Sequence, residues 1–146
     1  MIGGMQVNAQ SCSAEFEMTG SGNTCGTGTF TVKDFTGTTI NIGDASSGFA
    51  GTAVSSEYQT AKDIGALPEG KYRIVLENDE KNTFRLHPMP GTEMHGRDGM
   101  LIHGYAAGQS RQEASRGCII LDRNQRNKLR EFYNECGELN LTVTFN

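Results

Sequence analysis

Apolar residues occur at every second position in several short stretches of the chain, which is the period of a β-strand with one buried face. Polar residues separate the stretches, and the segment 78–82 predicts a hairpin to a further short strand at 83–86. The segment 43–57 is rich in Gly, Ala and Ser without periodicity, and it predicts a long surface loop. The alternating positions are Ala14, Phe16 and Met18; Phe30 and Val32; Ile40 and Ile42; Tyr72, Ile74 and Leu76; and Leu139, Leu141, Val143 and Phe145.

Two segments depart from this alternation. The segment 100–103 is apolar on both faces and follows a tight-turn dipeptide, so it predicts an interior strand that ends in His103. Asp122 is a capping residue with Gln125 at the third helical position, and Gly137 follows a run of apolar residues at helical spacing. Those apolar residues are Leu129, Phe132 and Tyr133. The sequence therefore predicts a mainly-β fold, a sandwich or a barrel, with one helix in the C-terminal half packed on it.

The length of 146 residues corresponds to a single domain that can bury a core without a metal or a disulfide. No repeat, low-complexity tract or linker divides the sequence. We expect one domain over 1–146, with N-terminal strands and Gly-rich loops in 1–64. The candidate chemistry then falls in 65–121, and a helix and a final strand in 122–146.

The charge of the chain disfavours nucleic acid as a partner. Lys and Arg number 13 against 17 Asp and Glu, for a formal net charge of −4, and no basic stretch is present. Nucleic acid is therefore not an expected partner, since phosphate backbones select clustered positive charge.

The sequence has no run of about 18 apolar residues, so we expect no membrane span. Its first eleven residues lack the apolar run of about 7–15 residues found in secretory signals, so we expect no cleaved signal peptide.

The strongest candidates for chemistry are His103 and Cys118, which lie 15 positions apart. A cysteine attacks carbonyls as the thiolate, and a nearby imidazole lowers the thiol pKa and later returns the proton to the leaving group. Gly117 leaves room for an acyl group, and its backbone N–H could join that of Cys118 in an oxyanion hole. On composition alone, a cysteine before an apolar run such as 119–121 is more often a buried core residue than a nucleophile.

An ordered series of motifs surrounds this pair and extends over residues 65–121, about forty per cent of the chain. The motifs are Gly65-x-Leu67-Pro68-x-Gly70-x-Tyr72, His87-Pro88, Met94-x-Gly96-Arg97-x-Gly99, Ile102-His103-Gly104 and Ser115-x-Gly117-Cys118-Ile119-x-Leu121. The series resembles the L,D-transpeptidase (YkuD-like) superfamily, and within it the antibacterial L,D-transpeptidase effectors delivered by type VI secretion. The order of the motifs is more specific than any one of them, while the first sixty residues match poorly.

The resemblance implies a YkuD-like β-sandwich or barrel in which Cys118 is the nucleophile, His103 is the base and no cofactor is needed. The expected substrate is the bond between the L-centre of diaminopimelate and the following D-alanine in peptidoglycan stem peptides. A thioacyl enzyme forms and D-alanine leaves. Water then completes an L,D-carboxypeptidase reaction, or an amine completes a transpeptidation or D-amino-acid exchange. A backbone carbonyl orients the histidine in this superfamily, which makes Gly104 the candidate, and Ser115 is expected to hold the nucleophile loop by hydrogen bonding.

Two positions differ from the wider superfamily. Many members have His between the Ser or Thr and the Gly, and Arg two residues after the Cys, where this chain has Arg116 and Ile120. The effector branch accepts both changes, but the contact with the substrate carboxylate is then unassigned. Arg97 and Arg116 are the candidates, because a guanidinium binds a carboxylate through paired hydrogen bonds. A solvated surface role is the alternative for either residue.

The resemblance also implies where the protein acts. It would be synthesised in the cytoplasm, secreted without a signal peptide by the type VI secretion machinery, and active in the periplasm of a target bacterium. Its expected partners are peptidoglycan stem peptides and a cognate immunity protein.

The other histidines and cysteines allow simpler interpretations. The three histidines recur every eight residues but lack the close paired spacing of zinc ligands, so we expect no metal site. Once Cys118 is assigned as the nucleophile, the other cysteines allow one disulfide in three pairings, or none. Those cysteines are Cys12, Cys25 and Cys136.

Two alternative functions remain open. A different cysteine peptidase or wall amidase would also use a His–Cys pair, but papain-like enzymes place the cysteine first in the chain. Sortases share the order seen here, generally with a longer gap between the two residues. A non-catalytic cell-wall-binding β module would explain the strands alone, and its cysteine would be inert to alkylation until unfolding.

Overall fold

A computed structural model describes residues 12–20, 26–48, 66–104 and 118–145. Within these ranges the chain forms eight strands and one helix, which confirms the predicted mainly-β fold with a helix in the C-terminal half. The strands are β1 Cys12–Met18, β2 Thr27–Lys33, β3 Thr39–Ser47, β4 Gly70–Asn78, β5 Thr83–Pro88, β6 Leu101–His103, β7 Ile119–Ile120 and β8 Leu139–Phe145, and the helix is α1 Arg123–Cys136.

The strands close into a barrel in the order β1-β2-β3-β7-β6-β5-β4-β8, and β8 returns to pair with β1. Most neighbours are antiparallel, including the predicted hairpin of β4 and β5. The pairs β1–β8 and β6–β7 are parallel. The short strand β6 therefore has hydrogen-bonded neighbours on both sides, as the apolar character of both its faces predicts.

The alternating residues fill the inside of this barrel. In β1 every second residue is buried, and Phe16 lies opposite Phe30 of β2 and Val143 of β8. The rings of Phe16 and Phe30 stack with their centroids 6.5 Å apart. Burial of aromatic side chains of this size is the main source of stability in such a core. The first three strands, whose role the sequence leaves open, thus supply three of the eight barrel strands.

Helix α1 begins and ends where the sequence predicts. The Asp122 carboxylate accepts a hydrogen bond of 2.8 Å from the Gln125 N–H, and the Gln125 side-chain oxygen accepts one of 2.8 Å from the Asp122 N–H. Gly137 ends the helix with a positive φ of 74° and donates its N–H to the Tyr133 carbonyl. Leu129 is fully buried, so the predicted apolar face packs on the barrel. This 14-residue helix, the one that the described ranges contain, lacks the length and apolarity to cross a membrane.

Strand β3 extends further than the sequence predicts. The predicted loop over 43–57 is wrong at its start, because the strand continues through Ser47 and pairs there with β7. Ser46 and Ser47 are buried, and the Ser47 hydroxyl accepts a hydrogen bond of 2.8 Å from the Leu67 N–H. Gly, Ala and Ser are typical of loops, so the end of a strand that is built from these small residues shows no apolar alternation in the sequence. Residues 49–57 lie outside the described ranges.

A disulfide joins Cys12 to Cys136, one of the three pairings that the sequence leaves open. It connects the start of β1 to the end of α1 across 124 positions of sequence. Cys25 lies outside the described residues, and Cys118 takes no part in the disulfide.

Candidate functional site

Strands β6 and β7 bring His103 and Cys118 together. The two strands are parallel neighbours, with Ile102 opposite Ile119 and His103 opposite Ile120. Ile102 and Ile119 belong to the hydrophobic core. Because successive side chains of a strand point to opposite faces, that of His103 lies on the face away from the core. Cys118 comes directly before β7. Both residues are partly exposed, as a site open to substrate requires.

Cys118 sits directly before β7 and beside Leu101 of β6. The Leu101 N–H donates a hydrogen bond of 3.3 Å to the Cys118 sulfur. His103 lies two residues further along the same strand and on the same face. Two residues along a strand and one step between strands amount to a Cα separation of about 8 Å, which the two side chains can span. Strand geometry therefore places the two residues within reach of each other where β6 meets the start of β7.

The imidazole of His103 has a defined orientation. Its Nδ1 lies 2.7 Å from the backbone oxygen of Gly104. Because a carbonyl oxygen can only accept a hydrogen bond, Nδ1 carries the proton, and in the neutral ring Nε2 has the lone pair. This contact is the one expected for Gly104 from the sequence, and it leaves Nε2 as the nitrogen that could take a proton from a thiol.

The thiol of Cys118 is not ionised by its surroundings. Burial raises the pKa of the Cys118 thiol, although the Leu101 N–H and the charge of Arg97 both act to lower it. The direction differs from the expectation of a lowered pKa, because loss of hydration outweighs the two favourable contacts. Cys118 is thus a neutral thiol at neutral pH, and attack on a carbonyl requires a base to remove its proton.

The alkylation rate of Cys118 tests this protonation state. In a Cys25→Ala background, where Cys118 is the one thiol outside the Cys12–Cys136 disulfide, we expect the rate with iodoacetamide to rise through an inflection above pH ~8.5, the ordinary cysteine value. Mass spectrometry of the modified peptide over a pH series measures it.

Two arginine variants provide the matched comparison. The positive charge of Arg97 favours the thiolate, so Arg97→Met should move the inflection to higher pH. Arg85→Met removes a charge that borders the same cavity but does not act on the thiol, and it should leave the inflection in place. An alkylation rate that is already constant below pH 7 would show a preformed thiolate and contradict the assignment of Cys118 as a neutral thiol.

The other predicted site residues divide into two groups. Arg97 is buried, with 4% of its surface exposed, and donates a hydrogen bond of 2.7 Å to the Ala66 carbonyl. It is therefore not the solvated surface residue that was its alternative. Ser115, Arg116 and Gly117 lie outside the described residues, and their roles stay predictions.

Arg97 also borders a cavity of about 350 Å³ between β5 and the segment before β6. His87 and Asp98 bring further charged or polar groups to its wall, and Met94 and Met100 bring apolar surface. Met100 immediately precedes Leu101, the residue whose N–H contacts the Cys118 sulfur. The cavity wall thus includes the residue before Leu101 and an arginine whose charge acts on the thiol.

The remaining histidines are not gathered into a metal site. His87 lies at the end of β5, and His95 lies in a turn with a positive φ of 55°. Among the residues that the structure describes, no three His, Cys, Asp or Glu side chains approach one another as metal ligands would.

The contact from Leu101 to Cys118 is one that sequence analysis misses. It depends on the parallel register of β6 and β7, and nothing in an apolar residue such as Leu101 signals that its backbone N–H contacts a sulfur. A histidine whose Nδ1 bonds a backbone carbonyl, on a strand whose neighbour carries a thiol bonded to a backbone N–H, is an arrangement suited to acyl transfer through a cysteine.

Residues 42–144 match the model of the Tlde1 domain. The chain therefore belongs to the Tlde1 domain family, which is a family of type VI secretion effectors. No curated protein matches the sequence.

Two solved structures are similar to this chain. One is Bd1075 of Bdellovibrio bacteriovorus, with a TM-score of 0.55 and 15% identity over 93% of this chain and 49% of that one. The other is the helical cell shape determining protein Pgp2 of Campylobacter jejuni, with a TM-score of 0.47 and 17% identity over 91% of this chain and 48% of that one. This chain spans about half the length of each.

Proposed function

We propose that this protein is an antibacterial effector that cleaves or exchanges the terminal D-alanine of peptidoglycan tetrapeptide stems, as an L,D-carboxypeptidase and L,D-transpeptidase. The observation that carries the proposal is the position of Cys118 against β6, with its sulfur on the Leu101 N–H, two residues from a His103 whose Nδ1 is bound to the Gly104 carbonyl. Membership of the Tlde1 family supports the effector role. The motif series that resembles L,D-transpeptidases supports the substrate.

The first half-reaction forms a thioester. The Cys118 sulfur attacks the carbonyl carbon between the L-centre of diaminopimelate and D-alanine, and the thiol proton passes to Nε2 of His103. The backbone N–H groups of Gly117 and Cys118 would bind the negative oxygen of the tetrahedral intermediate. The C–N bond then breaks, and the D-alanine amine leaves with the proton returned from His103. Since the thiol pKa is raised by burial, proton removal by His103 is essential to this step.

The second half-reaction releases the acyl group. A water molecule or an amine attacks the thioester carbonyl, and His103 removes its proton and returns it to the Cys118 sulfur. Water gives the tripeptide acid, and the amine of a D-amino acid or of another stem gives an exchanged or cross-linked product. Neither half-reaction transfers electrons or a group that requires a cofactor.

Arg97 is the proposed contact for the substrate carboxylate. Its charge acts on Cys118, and it borders a cavity whose wall ends one residue before Leu101, so a carboxylate in that cavity would lie close to a cation. Arg116 stays a second candidate, from its place in the sequence two residues before the nucleophile.

The proposed setting follows from the family. As a type VI effector, the protein would act in the periplasm of a target bacterium. The producing cell would protect itself with an immunity protein.

Analysis of muropeptide products tests the function. Purified protein should convert tetrapeptide muropeptides into tripeptides and D-alanine, and added D-methionine should yield exchanged stems, both measured by liquid chromatography with mass spectrometry. Tripeptide muropeptides, which lack the bond, are the matched control and should be unchanged.

Other products would contradict the proposal in distinct ways. Cleavage between glycan and peptide, or at D,D bonds, would identify a different wall amidase or peptidase. Intact muropeptides, with equal toxicity of the wild-type and Cys118→Ala proteins in the periplasm, would instead favour a non-catalytic wall-binding module.

A further inference from the structure

Gly104 lies against the side chain of Arg126, a residue of α1 that is 22 positions away in the sequence. A Cβ atom built at Gly104 would lie 2.2 Å from Nη1 of Arg126 and 2.9 Å from Cζ. Gly104 is not among the glycines with a positive φ, so its backbone is one that alanine can adopt. The space that a side chain would need at position 104 is occupied by the guanidinium.

The guanidinium is held in that place by two backbone carbonyls. Nη1 donates to the Leu121 oxygen at 2.8 Å, and Nε donates to the Lys81 oxygen at 3.3 Å. Only 8% of the Arg126 surface is exposed. Burial, together with the like charge of Arg123, lowers the pKa of Arg126, which reflects the cost of enclosing a cation. The side chain therefore cannot move aside freely to admit a Cβ atom.

These contacts join the ends of the two strands that carry the candidate pair. Gly104 follows β6 and Leu121 follows β7, and the Leu121 N–H donates a hydrogen bond of 3.1 Å to the His103 oxygen. The Gly104 oxygen in turn accepts the Nδ1–H of His103. Arg126 thus contacts Leu121, which bonds the backbone of His103, and Gly104, which bonds its ring.

We propose that Arg126 is a positioning residue for His103. Its guanidinium packs on the bare backbone of Gly104 and binds the Leu121 carbonyl, and so it holds the Gly104 oxygen where it orients the imidazole toward Cys118. Glycine is required at position 104 because of the guanidinium and not because of backbone conformation. The inference rests on the proposed function, since it assigns a task to the same His–Cys pair.

A double-mutant cycle tests the inference, because residues that act through one contact are not additive. Gly104→Ala forces the guanidinium and the loop apart, and we expect kcat/KM for D-alanine release to fall about 10²-fold, the effect of a misplacement near 1 Å. Arg126→Met keeps most of the alkyl stem but removes Cζ and both Nη atoms, with an expected loss of about 10-fold. In the double variant, Gly104→Ala should add no further loss.

The pH dependence of kcat/KM separates positioning from general stability. Its acid limb reports the base of the unbound enzyme, so a misplaced imidazole should shift that limb in Arg126→Met while a mere loss of stability would not. Arg123→Met, an exposed arginine of the same helix, is the matched control and should leave the profile unchanged. If Arg126→Met fails to fold, the same cycle with Arg126→Gln retains a donor near the Nε position and still removes Cζ.

Losses that multiply in the double variant, or an Arg126→Met profile identical to that of the wild type, would overturn the inference. Alkylation of Cys118 at pH 7 gives a readout that needs no substrate, with His103→Ala as the reference for a lost base. The same Gly104→Ala and Arg126→Met cycle can be measured by the alkylation rate. If that rate shows the expected non-additivity but neither the wild type nor any variant releases D-alanine, the proposed function is refuted and the positioning role stands. D-alanine release with multiplied losses would refute the positioning role alone.

Discussion

The Cys118→Ala variant is expected to release D-alanine from tetrapeptide muropeptides about 10³-fold more slowly than the wild type, or not at all. The reason is chemical: without the sulfur no thioester can form, and positioning together with the oxyanion hole retains only a small part of the catalysis. Initial rates from mass spectrometry of the products measure the loss. Toxicity on export to the periplasm of a sensitive strain should disappear with it.

The control for this variant is the state of the fold. Cys118 is only partly buried, and Ala removes an acceptor for the Leu101 N–H but little packing, so the thermal midpoint of Cys118→Ala should stay close to that of the wild type. Cys118→Ser keeps an acceptor for that N–H and provides a folded comparison with a weaker nucleophile. Turnover by folded Cys118→Ala at the wild-type rate would remove Cys118 from the mechanism.

Loss of the disulfide should have the largest effect on stability. The bond between Cys12 and Cys136 closes a loop over 124 positions, and in the chain-entropy account a crosslink of this length stabilises the folded state by about 5 kcal/mol. That figure is comparable with the entire free energy of unfolding of a small domain. The Cys12→Ala/Cys136→Ala variant should therefore unfold at a much lower urea concentration than the wild type.

Urea unfolding with and without dithiothreitol distinguishes the disulfide from the substitutions themselves. Reductant should lower the midpoint of the wild type toward that of the double variant, and it should leave the double variant unaffected. Cys25→Ala is the matched cysteine control and should respond to reductant as the wild type does. Equal wild-type midpoints in the two conditions would mean that the crosslink contributes nothing to stability.

Local features of the sequence predict the local structure well. The alternation of apolar residues identifies the long strands, and the Asp122–Gln125 capping box and Gly137 identify both ends of the helix. These features depend on hydrogen bonds and packing within a few residues, so the sequence contains all the information they require. The prediction of a loop over 43–57 is wrong at its start, because Ser46 and Ser47 are buried by contacts with distant segments.

The candidate site also has features that the local sequence predicts and features that arise only from contacts between distant segments. His103 and Cys118 are identified from their residue types and motif spacing, and Gly104 from its position after the histidine. Arg126 is not identified, because its relation to Gly104 arises only when α1 packs against the ends of β6 and β7. The raised thiol pKa is also invisible in the sequence, since it results from burial in the assembled barrel.

The parallel pairing of β1 with β8 determines when during synthesis the barrel can form. Residues 12–18 pair with 139–145, so β1 remains without one of its two neighbours until β8 has left the ribosome. Contacts at such separation form late, because loop closure costs entropy before the pairing offsets it. The Cys12–Cys136 bond lies at one end of this same seam. A nascent chain that lacks β8 therefore has no closed barrel on which to align the candidate pair His103 and Cys118.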